Sequence, residues 1–210
     1  MKKKLLSLVL AGAMVASTSV SAFADDKVTT DGGQTNVTIK GAVDDETGNS
    51  PAGTINVSVP TALSFKVDKN GTVTGGSIKI TNNGVDKVDI TAIRFYDKTP
   101  TSGITVKTPE EFRDQGPQDR ANVVLNIGGT NGEIAFFKSE SEGSSENGIY
   151  DETGLNADTG VKVATIDGSG SSDTLTLSGY AGTTALSNEA AKNGVTDEFR
   201  LTLKISKASN

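Results

Sequence analysis

From Thr35 onward apolar and polar residues alternate with a period of two: Val37, Ile39, Gly41 and Val43 fall on one face, Thr38, Lys40 and Ala42 on the other. That alternation marks a strand with one buried side. The pattern returns at Ile55, Val57, Val59; at Leu63, Phe65, Val67; at Ile78 and Ile80; at Val88 and Ile90; and at Val123, Leu125, Ile127. It continues at Ile134 and Phe136, at Val161 and Val163, at Leu175 and Leu177, and at Phe199, Leu201, Leu203, Ile205. The phase flips at Ala92-Ile93, where Val88 and Ile90 keep one register and Ile93 and Phe95 the other, so a bulge or a strand crossing between sheets is expected there.

The segments between are turns by their chemistry. Asp68-Lys69-Asn70-Gly71, Asn82-Asn83-Gly84, Gly128-Gly129 with Asn131-Gly132, and Asp167-Gly168-Ser169-Gly170 all offer Asn or Gly, which accept the positive φ of tight hairpins. Pro60 is expected to end a strand or to bend the chain toward Leu63, because it cannot donate to a ladder. Helix signals are sparse. Thr108-Pro109-Glu110-Glu111-Phe112 reads as an N-cap, a first-turn proline and first-turn acids, enough for one short helix, and Ser187 to Lys192 is a second candidate. Many short strands and almost no helix predict an all-β fold, an antiparallel β-sandwich of immunoglobulin-like or jelly-roll-like kind. No fixed repeat is present, and one domain is the economical count. Two connections are unusually polar, Asp114 to Arg120 and Ser139 to Gly160, and composition reads the second, 139–160, as a mobile loop.

The first 24 residues stand apart. Lys2-Lys3-Lys4, an apolar run from Leu5 to Ala16 and the triplet Ala22-Phe23-Ala24 have the order of a secretory signal peptide, cleaved after Ala24. The expected organisation is therefore a signal at 1–24 and a single sandwich domain at 25–210, with 25–50 its first strand and tether. The whole chain carries −6, and the signal holds three Lys and no acid, so the remaining 186 residues carry −9. Such a balance argues against nucleic acid and anionic membrane as partners. After the signal the longest unbroken apolar run is Ile134-Ala135-Phe136-Phe137, so no membrane span is expected once the signal is gone. No Cys follows the cleavage site to take a lipid, and Ser206-Lys207-Ala208-Ser209-Asn210 has neither an LPxTG-like motif nor a hydrophobic tail. A secreted protein, extracellular or held at the cell surface without covalent anchoring, is the expectation.

The chain has no His, no Cys and no Trp. That removes Ser-His-Asp and Cys-His catalysis, zinc sites of the usual ligands and disulfides. The D-x-S-x-S string Asp167-Gly168-Ser169-Gly170-Ser171 matches a metal-adhesion loop literally, but a strand from Asp173 to Ser178 follows it where such a site requires a helix. It reads as a hairpin turn. The acids Asp44-Asp45-Glu46, Asp68 with Asn70, and Asp151-Glu152 with Asp158 lack calcium-loop spacing and read as solvated loops. Among 26 acidic residues no catalytic pair can be singled out. No catalytic, cofactor-binding or metal-binding residue is assigned, no cofactor is expected, and the protein is not expected to be an enzyme. Tyr150 and Tyr180, placed in loops, are the rings available to a sugar; most of the Phe residues lie in strand patterns and read as core. The first strand, Thr35 to Val43, is separated from the next by the polar tether Asp44 to Pro51, so it can pair with its own sheet or complete the edge of a neighbour.

At Val57-Ser58-Val59-Pro60-Thr61-Ala62-Leu63-Ser64-Phe65-Lys66-Val67-Asp68, continuing through Ile78-Lys79-Ile80-Thr81-Asn82-Asn83-Gly84 and Val88-Asp89-Ile90, the chain resembles the secreted, Cys-free β-sandwich surface proteins of Gram-positive bacteria. WxL-type wall proteins and camelysin/TasA-like matrix-fibre subunits are the nearest groups. The fibre resemblance implies an extracellular structural subunit with no active site. The leading expectation is an exported structural or adhesive surface or matrix protein whose partner is itself, joined by strand addition. The alternative is a non-catalytic carbohydrate-binding module whose partner is a cell-wall or extracellular polysaccharide.

Overall fold

The computed structural model describes residues 26–28, 34–38, 55–100, 103–130, 132, 134–186 and 195–209. The expected signal at 1–24, the second half of the expected first strand (39–43), the tether Asp44 to Pro51 and the second helix candidate at Ser187 to Lys192 lie outside them. The elements are β1 (Asp26–Val28), β2 (Gln34–Thr38), β3 (Val57–Val59), β4 (Phe65–Val67), β5 (Val73–Gly75), β6 (Ser77–Asn82), β7 (Val88–Asp97), β8 (Thr105–Val106), α1 (Pro109–Asp114), β9 (Asn122–Gly128), β10 (Ile134–Phe137), β11 (Ile149–Tyr150), β12 (Val161–Ile166), β13 (Ser171–Ala181) and β14 (Phe199–Lys207).

These strands form the expected antiparallel sandwich. One sheet runs β1-β3-β6-β13-β9-β10-β11, the other β12-β7-β14-β2, and β4 with β5 makes a separate hairpin. The short β8 joins β9 in parallel, the exception among the paired strands. The inner faces carry the alternating aliphatics: Ile78, Ile80, Leu125, Ile127, Leu175 and Leu177 from the first sheet meet Val88, Ile90, Leu201, Leu203 and Ile205 from the second, all essentially without solvent contact. Removing apolar area from water at ~25 cal/mol per Å² drives that closure. An aromatic stack fixes the two layers. The Phe95 ring on β7 lies 4.5 Å from Phe137 on β10 and 5.3 Å from Phe199 on β14, nearly parallel to both.

The predicted phase flip is a bulge. Thr202 faces Arg94 and Leu203 faces Ala92, so Ile93 is the extra residue on β7, and on its other side the register with β12 slips between Lys162 and Ala164. Phe95 thereby turns inward with Ala92. The expected phase of β10 is overturned: Ala135 and Phe137 are buried, whereas Ile134 and Phe136 are half-exposed. Ala135 stands opposite Ile127, and antiparallel partners share a face, so the partner strand sets the phase that a run apolar on both sides does not encode.

Turn and cap chemistry follow the sequence. The Asp68 carboxylate accepts from the amides of Asn70 and Thr72 (2.8 and 2.9 Å) and holds the β4–β5 hairpin, with Gly71 at φ +78°. Thr108 caps α1, its hydroxyl accepting from the Glu111 amide while the Glu111 carboxylate accepts from the Thr108 amide. The connection 139–160 carries β11 and several backbone hydrogen bonds: the Phe95 amide donates to Asn147 O (2.7 Å), the Asp97 amide to Glu140 O (2.8 Å) and the Lys138 amide to Gly148 O (3.1 Å).

Candidate functional site

Two arrangements stand out, an edge and a face. The edge is built by the N-terminal strands. β1 pairs antiparallel with β3 in the first sheet, Asp26 to Val28 opposite Val59 to Val57, and β2 pairs antiparallel with β14 in the second, Gln34 to Thr38 opposite Lys204 to Arg200. β1 and β2 are therefore the last strands of the two sheets, and they lie against each other on one side of the sandwich.

The face is the outer surface of the first sheet. Along β13 the outward residues are Thr174, Thr176, Ser178 and Tyr180, all exposed. On β9, Ser178 is matched by Asn126 and Thr176 by Gly128; on β10, Gly128 is matched by Ile134. With no side chain at Gly128, a gap opens between Thr176 and Ile134. The result is a shallow groove of about 340 Å³ lined by Asn126, Gly128, Gly129, Thr130, Gly132, Ile134, Thr174, Thr176 and Ser178. None of these residues is charged. The hydroxyl face extends onto β6, where Ser77 Oγ lies 3.0 Å from Thr176 Oγ1.

Behind the groove lies an inward-facing carboxylate. Asp173 is 5% exposed, and its Oδ1 accepts from the Thr130 amide (3.0 Å), the Thr130 hydroxyl and the Thr174 amide (2.7 Å). Its Oδ2 has no hydrogen-bond partner among the described residues. That oxygen lies beside Gly129, where an added Cβ would come within 2.8 Å of it and 2.7 Å of Val163 O, so no other residue fits position 129 without a shift. The alternation that placed Leu175 and Leu177 inward also places Asp173 inward, but nothing local in the sequence distinguished it from the solvated acids.

The two tyrosines part company. Tyr180 is 43% exposed, on β13 and not in a loop, and Phe112 of α1 stands edge-on to it at 5.1 Å. Tyr150 is a correction: it lies on β11, is 8% exposed, and donates its hydroxyl to Glu146 Oε2 (2.9 Å), so its ring is not offered to a ligand. Burial, helped by the Glu146 hydrogen bond, pushes its phenol up to about 12. Beside it, burial alone would lower Lys138, but the hydrogen bond to Glu111 and the fields of Tyr150, Glu111 and Glu140 lift its ammonium above the ordinary range.

The acids singled out earlier hold turns. Asp151 accepts from the Thr153 hydroxyl and amide and from the Leu155 amide, which lowers its carboxyl. Asp167 pairs with Lys87 at 2.9 Å, Ser171 Oγ donates to Gly168 O, and the Ser169 amide donates to Gly84 O, so the D-x-S-x-S string is a turn packed on the Asn82-Asn83-Gly84 turn. Asp44-Asp45-Glu46 lie outside the described residues. Among the described residues, no three His, Cys, Asp or Glu side chains gather as a metal-sized group, and no helix is long and apolar enough to cross a membrane.

Two polar clusters gave no signal in the sequence. On the outer face of the second sheet the Arg94 and Arg200 guanidinium groups flank the Tyr96 ring at 5.4 and 5.6 Å, and Tyr96 donates to Glu142 Oε1. At the end of β7, burial raises the Asp97 carboxyl; the Thr99 amide opposes this, and Asp197 adds to it. Both arise from register across strands far apart in the chain. No protein-family model, curated protein or solved structure matches this chain.

Proposed function

We propose that the protein is an exported structural or adhesive subunit of a bacterial surface or extracellular matrix, and that copies join by exchanging their N-terminal strands. The supporting observation is the placement of β1 and β2, which end both sheets on the same side of the sandwich. Withdrawing them leaves the β3 and β14 edges with unpaired backbone donors and acceptors. The identical segment of a second copy satisfies the same groups, so exchange needs no new interface and costs little. The tether is long enough. Residues 39–56 join β2 to β3, and extended chain reaches ~3.3–3.6 Å per residue, about 60 Å in all. Such a subunit works without turnover and is retained outside the cell by assembly, in keeping with the resemblance to secreted matrix-fibre sandwiches.

Sedimentation and electron microscopy of the chain from residue 25, with and without residues 25–45, test the proposal. The longer form is expected to polymerise with rising concentration. The truncated form is expected to remain short and to bind a synthetic peptide of residues 25–45 at its open edges. Monomers of the longer form at every concentration, or polymers of both forms, would sink it.

A further inference from the structure

We infer that the groove between β13, β9 and β10 binds a neutral polysaccharide. The inference is independent of strand exchange. Four hydroxyls, on Thr130, Thr174, Thr176 and Ser178, and the Asn126 amide line one gap, and all but Thr130, whose proton goes to Asp173, can both donate and accept as sugar hydroxyls do. Among the described residues none that lines it is charged, whereas the molecule as a whole is acidic, so an anionic glycan is repelled by the protein and finds no cation among the lining side chains; Lys79, opposite Thr174 on β6, stands outside the lining. The floor is open because Gly128 stands where neighbouring strands carry Thr176 and Ile134, and Ile134 supplies an apolar wall for the C–H face of a ring.

A second observation sets this face apart from an ordinary polar sheet surface. Asp173 is buried behind the rim, holds the Thr130 amide and hydroxyl on one oxygen, and among the described residues has no partner for its other oxygen beside Gly129. A buried carboxylate with an idle oxygen is costly unless something uses it. Here it turns the Thr130 hydroxyl proton inward, so Thr130 offers lone pairs to the groove, while its other oxygen stays on the core side of the sheet, with Val163 O and Leu175 around Gly129. Asp173 is thus a positioning residue. Two residues beyond Ser178, the half-exposed Tyr180 ring ends the track, steadied edge-on by Phe112. From Thr174 to Tyr180 the strand covers about 20 Å at ~3.4 Å per residue, the length of a short oligosaccharide.

The test is an array of neutral and anionic glycans, followed by titration calorimetry with the best neutral oligosaccharide, using the chain from residue 25. At least one neutral glycan is expected to bind and polygalacturonate is not. Thr176→Val keeps strand propensity and volume and is expected to weaken binding about fivefold, the effect of one lost hydrogen bond. Gly128→Thr fills the groove without removing a hydroxyl and is expected to abolish binding. Asp173→Asn keeps an acceptor for Thr130 but removes the charge that orients its hydroxyl, so it is expected to change which neutral glycan ranks first, a readout that mere loss of stability does not move. Melting curves confirm that each variant folds. Binding by no neutral glycan, preference for anionic glycans, or neutral binding untouched by both Thr176→Val and Gly128→Thr overturns the assignment.

Discussion

The aromatic stack across the two layers allows a numerical test of both the core and the corrected phase of β10. Phe95→Ala removes a ring with no solvent exposure, for which large-to-small core changes cost ~3–5 kcal/mol. It also removes two ring pairs, at 4.5 and 5.3 Å, each worth ~0.5–1.5 kcal/mol beyond burial. A loss of about 5 kcal/mol follows, comparable to the whole stability of a marginal domain at ~5–15 kcal/mol. Phe137→Ala loses one of those pairs and a fully buried ring, about 4 kcal/mol. Phe136→Ala touches the half-exposed neighbour and is expected to cost less than half as much. Urea unfolding followed by circular dichroism measures all three through the midpoint at constant slope. If Phe136→Ala costs as much as Phe137→Ala, β10 points the other way and the two-layer core has been misassembled.

Burial is the first cause raising the phenol of Tyr96, Tyr150 and Tyr180, the three tyrosines of the chain. The native phenol midpoints should therefore all lie above the ordinary value of about 10, Tyr150 near 12, and fall back toward it in urea; a native midpoint at or below 10 contradicts the packing. Asp97 has a raised carboxyl, so its contribution is complete below the ordinary carboxylate value and is lost as pH climbs through the folded one. Asp97→Asn is accordingly expected to raise the melting temperature near neutrality and to lose that advantage in acid; a gain that grows as pH falls reverses the sign and refutes the cause. Thr108→Ala removes the cap of α1 and should cost about 1 kcal/mol in chemical unfolding. Gly179 sits at φ +150° with an added Cβ 1.9 Å from Val124 O, so Gly179→Ala should cost at least about 2 kcal/mol, and a neutral result would show that β9 and β13 are not so closely paired there.

The strands were legible where one face is apolar and the other polar, because burial of a single face writes period two into the chain. The bulge at Ile93 was legible for the same reason, as a break in that period, and α1 through its cap box and proline. β10 was not, since Ile134-Ala135-Phe136-Phe137 is apolar on both faces and only its register with Ile127 decides which side is inner. Tyr150 looked exposed because its chain neighbours are polar, whereas its ring is set opposite Phe136 and tied to Glu146. The groove left no local mark. It exists because Gly128 falls between Thr176 and Ile134 across three strands, a coincidence of register that pattern reasoning along one strand does not see. Asp173 was hidden likewise, as one acid among 26.

Edge and groove are spaced so that one does not obstruct the other. Between β1 and the groove strand β13 stand β3 and β6, so a copy pairing at the β1 side leaves β13, β9 and β10 open. If copies exchange strands as proposed, the groove repeats along a polymer in fixed orientation. A shallow groove of this kind would bind one oligosaccharide weakly, but sites held together on one scaffold would engage a long glycan as a unit, with avidity gains of ~10²–10⁴ when the geometry permits simultaneous contact. Polymeric chain should thus be retained on an insoluble neutral glycan at subunit concentrations where the form lacking residues 25–45 washes through, and Gly128→Thr should release the polymer without dissolving it. Equal retention of polymer and truncated form would mean that assembly and glycan binding do not reinforce each other, because the grooves of successive copies then face different directions.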